Sequence, residues 1–175
     1  MNKRTKIVLD SDVVIHFIKG EQFPMIHQIF PEFEYVILDI VLNEELRKRD
    51  ATRKYLDAYF YHFKDVIKVV QWDPDYEVAS EFASLLKRFN MGESACMVYC
   101  KHNRDVIASS NLRDITEYCL QNQITWLTTM DFLGQAFKNK LLTETECDEF
   151  IQKVLKRGSK LPVKCIKEFT PRAIF

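Results

Sequence analysis

The sequence predicts an α/β protein, with a mainly parallel five-stranded sheet held between two layers of helices as a three-layer α/β/α sandwich. Three observations predict it. Short apolar runs without an internal period recur along the chain, as expected of strands buried on both faces. Each is followed by a segment whose apolar residues fall at helical spacing, the alternation that builds parallel sheets. Only four glycines and five prolines occur in 175 residues, which favours well-formed elements over long loops.

The first run, Lys6 to Leu9, ends at Asp10, and a helical stretch from Val13 to Ile18 follows it and breaks at Gly20. Tyr35 to Leu38 is the second strand and ends at Asp39. From Val41 to Phe63 the chain is long, charged and periodic, which predicts one continuous helix with a solvated basic face. Val66 to Trp72 is the third strand. Asp73-Pro74-Asp75 then makes a turn and helix start, since proline suits the first turn and acids suit a helix N-terminus. That helix runs through Leu86. A second helix opens near Glu93, carrying Ala95, Cys96, Val98, Tyr99 and His102 along its track. Asp105 to Ala108 is the fourth strand, Arg113 to Asn122 a helix, Ile124 to Leu127 the fifth strand, and Met130 to Lys140 another helix. Thr143-Glu144-Thr145-Glu146 has the form of a capping box, so a last helix runs from there to about Arg157 and stops at Gly158. These elements fill one domain over residues 1–160, and residues 161–175 read as an irregular tail.

Composition bounds the function less tightly. A chain of this length buries roughly 70% of its unfolded surface and needs no covalent staples. Lys plus Arg and Asp plus Glu both number 25, so net charge lends nucleic-acid binding no support and any such partner needs a local basic patch. The five cysteines include no Cys-x-x-Cys pair, and the four histidines show no ligand spacing. They read as small buried or semi-buried thiols in a reducing compartment rather than as a zinc site. The first apolar run is too short for a signal peptide and contains aspartates, and no apolar stretch is long enough to span a bilayer. The expectation is a cytoplasmic protein with no membrane partner.

The chemistry lies in where polar residues fall. Sites in open α/β sheets form at the carboxyl ends of the strands. Here those ends carry Asp10-Ser11-Asp12, then Asp39 with Glu44-Glu45 close behind, and Ser109-Ser110-Asn111, while Glu93 follows a glycine at a helix start. Taken singly, each acid is equally a turn or N-cap residue. Converging on one rim they repel one another, so either some are protonated or a cation offsets them. Oxygen-only ligands select hard ions such as Mg2+ or Mn2+.

Val8-Leu9-Asp10-Ser11-Asp12-Val13-Val14-Ile15 resembles the opening of PIN domains, where a strand ends in Asp before an apolar helix. Leu42-Asn43-Glu44-Glu45-Leu46 resembles the second acidic position of that family, and Met91-Gly92-Glu93-Ser94-Ala95 the Gly-Glu-x-Ala start of the helix carrying the third. From Val106 to Leu142 the order of a strand with a polar end, a helix, Ile124-Thr125-Trp126-Leu127-Thr128-Thr129 and a helix with Leu133 and Ala136 is similar to prokaryotic PIN proteins related to the VapC toxins. The resemblance covers the chain to about residue 160. It implies a metal-dependent endoribonuclease in which Asp10, Glu45 and Glu93 hold one or two Mg2+ or Mn2+ ions, Glu44 being the alternative second acid. Ser11, Asp12 and Ser110 support them. It also implies an antitoxin partner and a homodimer. Where that family commonly has a fourth acid this chain reads Asn111, which removes one negative charge, and Asp114, one helical turn onward, is placed to compensate.

RNA needs a basic, partly aromatic track beside the acids. The candidates are Arg47, Lys48, Arg49, Arg53 and Lys54, with Tyr55 and Tyr59 nearby, although a solvated helix face explains those charges as well. The second basic cluster, Lys153, Lys156, Arg157 and Lys160, complements the dipole of the last helix. Two other functions compete. Asn111 and the zero net charge favour a catalytically weakened PIN-like module that binds RNA or protein. Asp10-Ser11-Asp12 suggests an α/β phosphatase with an aspartyl nucleophile, a chemistry that needs a lysine and further aspartates at places where the sequence has none.

Overall fold

The computed structural model describes residues 4–175. Its five strands are β1 (Lys6–Leu9), β2 (Glu34–Leu38), β3 (Ile67–Val70), β4 (Val106–Ala108) and β5 (Trp126–Leu127), in the order β3-β2-β1-β4-β5. All four pairings are parallel, and Val8 at the centre lies opposite Val36 on one side and Ile107 on the other. Ile7, Val8, Leu9, Val36, Ile37, Leu38, Ile107 and Ala108 are completely buried. Burial on both faces is the reason these runs lack the alternation of a half-exposed strand.

Among the described residues eight α-helices accompany the strands: α1 (Ser11–Lys19), α2 (Asp39–Val41), α3 (Asp50–His62), α4 (Tyr76–Leu85), α5 (Met91–Asn103), α6 (Leu112–Gln121), α7 (Thr129–Lys138) and α8 (Glu144–Lys156). Helices α1, α7 and α8 pack together as one layer, joined by Phe17 against Phe132 and Phe150. Helix α5 packs between α4 and α6 and lies directly on β1 and β2. It is buried nearly all round, from Gly92 through Val98 and again at Cys100. Small side chains at Gly92, Ser94, Ala95 and Cys96 allow that close approach to the sheet.

The strand order places the crevice. From β1 the chain moves outward to β2 and β3, then returns to the other side of β1 for β4 and β5. The loops leaving β1 and β4 therefore diverge to opposite faces, and the gap between them is where an open α/β sheet binds its ligands.

The long helix expected over 41–63 is broken. Helix α2 runs into a π-turn over Leu42–Leu46, in which the Arg47 amide donates to the Leu42 carbonyl at 2.9 Å. The chain then turns through Arg47–Arg49 before α3 begins at Asp50. A π-turn inserts one residue into a helical pattern, a change too small to interrupt apolar periodicity. Pro74 stands just ahead of the N-cap Asp75, outside the first turn of α4. The capping box at Thr143 and Glu146 forms as expected, and Gly158 leaves α8 with φ of 81°. Residues 161–175 are irregular apart from a short turn at Ile166–Glu168. They lie against the domain, with Phe175 on Phe30 and Phe33 and the Arg172 guanidinium on the buried Asp131 carboxylate at 2.8 Å. Cys96, Cys100, Cys119 and Cys147 are buried free thiols, and Cys165 is half-buried. Among the described residues no helix is long and apolar enough to cross a membrane.

Candidate metal centre

Each acid reaches the crevice from a different element. Asp10 ends β1 and caps α1, with Oδ1 accepting from the Ser11 amide at 2.7 Å and its own amide bonded to the Ala108 carbonyl of β4. It is 4% exposed, and burial, then the charges of Asp12 and Glu45, hold its carboxyl well above the usual range. Asp12 is tied to the backbone on both oxygens. Oδ1 accepts from the Val13 amide at 2.6 Å and Oδ2 from the Ser110 amide at 2.8 Å, which links the loops after β1 and β4. Burial pushes its carboxyl up to about 6 despite those bonds.

The π-turn delivers Glu45 rather than Glu44. Glu45 Oε2 accepts from the Ser11 hydroxyl, and Oε1 accepts from the Gly92 amide at the start of α5 at 2.8 Å. A Cβ at residue 92 would lie 3.2 Å from Oε2 and collide with Oε1, so the glycine is what lets the carboxylate reach that helix end. Glu44 points to solvent and pairs with Lys48 at 2.9 Å. Asp39 is engaged elsewhere, its Oδ1 accepting from the Trp72 amide at 2.8 Å.

Glu93 is 1% exposed. Its Oε1 accepts from the Asn111 side-chain amide at 2.9 Å, and its Oε2 is buried with no partner. Burial, then the charge of Asp114, raises its carboxyl to about 7. The same Asn111 nitrogen donates to Asp114 Oδ2 at 2.7 Å, so one amide bridges two carboxylates. With roughly trigonal geometry at that nitrogen, the two accepting oxygens stand about 5 Å apart.

Asp10, Asp12, Glu45, Glu93 and Asp114 thus face one crevice, and no ion pair among the described residues reaches any of them. The donors are all hard oxygens, and the orphaned Glu93 Oε2 lacks the partner a buried carboxylate needs, so the residues fit Mg2+ or Mn2+ by chemistry. They are not gathered for it. Among the described residues no three His, Cys, Asp or Glu side chains form a ready ligand group, because Ser11, Gly92 and Asn111 hold the carboxylates apart.

The basic candidates divide. Arg47 pairs with Asp57 at 3.0 Å, Lys48 with Glu44 and Arg53 with Asp50 at 2.7 Å, while Arg49 and Lys54 are exposed. Tyr59, 4% exposed, and the half-buried Tyr55 pack on Phe23, which makes them core rather than a stacking surface for bases. Lys153 and Arg157 pair with Glu21. Sequence reasoning passed over His16 and Thr129, which lie beneath the crevice at 7% and 0% exposure. His16 stands among apolar residues of α1, and Thr129 ends the polar-tipped run after β5, so neither position marks a role by itself. No family model matches the chain, and no curated protein matches it.

Proposed function

We propose that the chain is a metal-dependent endoribonuclease of the PIN type. The observation that carries the reading is the carboxylate crevice at the reversal of strand order, with Asp10, Glu45 and Glu93 facing it and Glu93 Oε2 buried without a partner. Asp10 and Glu93 are buried acids raised by burial and by neighbouring carboxylates, and no ion pair among the described residues offsets them, which suits a site that takes a cation. The all-parallel five-stranded sheet agrees with what the PIN resemblance implies.

Asp10, Glu45 and Glu93 would hold the ion, with Asp114 adding charge beside Asn111. A bound Mg2+ or Mn2+ supplies Lewis-acid polarisation of a phosphate oxygen and a lowered pKa for water. Asp12 keeps the loops after β1 and β4 in register through its bonds to the Val13 and Ser110 amides. Ser11 and Gly92 orient Glu45. Asn111, whose side-chain nitrogen bonds Glu93 and Asp114, would offer its amide oxygen to the ion as a neutral ligand. As a water oxygen forms its bond to phosphorus and the ester bond breaks, a crevice carboxylate oxygen not engaged by the ion would take the water's proton. Exposed Arg49 and Lys54 offer phosphate contacts beyond the crevice.

Labelled RNA incubated with the protein and Mn2+, with and without EDTA, tests the reading. Cleavage should need the metal and should vanish in Asp10→Asn. A second reading, a PIN-like binding module without catalysis, is favoured by the Asn111 amide bridging Glu93 and Asp114. RNA retention with no cleavage above the Asp10→Asn control would select it and refute the nuclease.

A further inference from the structure

Beneath the crevice, three strand-end loops are tied by one chain of polar groups. Ser110, after β4, donates its amide to Asp12 Oδ2 after β1 at 2.8 Å. Its hydroxyl accepts from the Thr129 amide, after β5, at 2.9 Å and lies 2.8 Å from the Thr129 hydroxyl. Thr129 Oγ1 in turn lies 2.8 Å from His16 Nδ1, one turn along α1 from Asp12. Thr129 is fully buried and His16 nearly so. Each hydroxyl has a single proton, so the atom at His16 Nδ1 decides which way the Thr129 hydroxyl points and what it can offer Ser110. Asn111 is the residue after Ser110, and its side-chain nitrogen joins Glu93 to Asp114. Burial with the nearby charge of Lys19 lowers the His16 imidazole to about 4, so at neutral pH the ring enters the chain uncharged.

We propose that His16 is a positioning residue for the carboxylate crevice, acting through Thr129 and Ser110 to fix the turn that carries Asn111 and anchors Asp12. None of His16, Thr129 and Ser110 touches the reacting atoms. His16 acts as the outer support of metal-site carboxylates does, by holding their orientation. The inference rests on the metal-site reading for its consequence in catalysis, but the brace itself exists in the metal-free protein.

The test uses the full chain with His16→Leu, Thr129→Val, their combination, and His16→Asn, which returns a polar atom near the Nδ1 position. Circular dichroism first fixes a temperature at which all are folded. Hydrogen exchange of the Ser110 and Thr129 amides, which needs no metal, should accelerate in His16→Leu and return toward wild type in His16→Asn, while the Ile151 amide in α8 stays unchanged. Mn2+ affinity by calorimetry and kcat on RNA should each fall about tenfold in His16→Leu and in Thr129→Val, with KM for RNA unmoved. The double variant should be no worse than either single one. Wild-type exchange at Ser110 and Thr129 in folded His16→Leu would overturn the proposal, as would additive losses in the double variant or no rescue by His16→Asn. If wild type neither binds Mn2+ nor cuts RNA, the metal-site reading falls and with it the consequence of the His16 brace for catalysis. The exchange result then still decides whether the brace exists.

Discussion

Glu93→Gln separates the acid site from an ordinary buried glutamate. In the wild-type crevice Glu93 is 1% exposed and its carboxyl is raised from 4.5 to about 7 by burial and by Asp114. Keeping such a group ionised in the folded protein above pH 7 costs about 3 kcal/mol at full value. Asp114 is half-buried and its field is screened, and a glutamine leaves a neutral amide in place of the orphaned oxygen, so we take about half, or 1–2 kcal/mol. The sign follows from the raised pKa. A carboxyl that binds its proton more tightly when folded adds stability below the unfolded value near 4.5, and that stability is lost as pH rises through about 7. Glu93→Gln should therefore be more stable than wild type in EDTA at about pH 8, by about 3–6 °C in Tm for a chain of this length, and nearly equal at about pH 4. Mn2+ should raise the Tm of wild type and not that of the variant, and the variant should not cut RNA. Thermal unfolding by circular dichroism at both pH values, with and without Mn2+, reads all of this. A variant no more stable than wild type at the higher pH would show that Glu93 carries no burial cost, and one that still gains stability from Mn2+ would show that Glu93 does not hold the ion.

Other residues give equally direct tests. Asn111→Asp puts a charge where one amide now bridges Glu93 and Asp114. It should lower metal-free stability by about 1–2 kcal/mol and tighten Mn2+ binding measured by calorimetry. Gly92→Ala drives a methyl group into the Glu45 carboxylate. It should cost about 1–3 kcal/mol in urea unfolding and at least tenfold in Mn2+ affinity. Charge reversal at exposed Arg49 and Lys54 together should raise KM for RNA and flatten its salt dependence, whereas reversal at Arg53, already paired with Asp50, should do less. Arg172→Ala removes the ion-pair partner of a buried Asp131 carboxylate, which keeps its bonds from Thr128, and a guanidinium stacked on Trp126 at 4.8 Å. It should cost about 2–4 kcal/mol in the same unfolding assay with RNA cleavage unchanged.

The strands were legible because burial on both faces leaves a continuous apolar run, as in Ile7-Val8-Leu9 and Val36-Ile37-Leu38, and that signal survives without any tertiary information. Helix ends were legible where a local bond makes them, as at Thr143 and Glu146. The alternation of such elements was enough for the fold class. Asp10 could be read as a candidate at the sheet's rim because it directly follows a strand, and its place on the rim comes with that position.

Other features depended on groups distant in sequence. Whether Glu44 or Glu45 enters the crevice turns on the π-turn over Leu42–Leu46 and on Gly92, 47 residues further along the chain. Tyr55 and Tyr59 left the predicted RNA track because Phe23, far back in the chain, covers them. His16 and Thr129 carried no legible meaning until strand order brought the ends of β1, β4 and β5 together. Local pattern records how a segment meets its own neighbours and solvent. Which side chains share a buried crevice, with the pKa shifts that follow, is set by packing between segments, and that the tertiary structure alone decided.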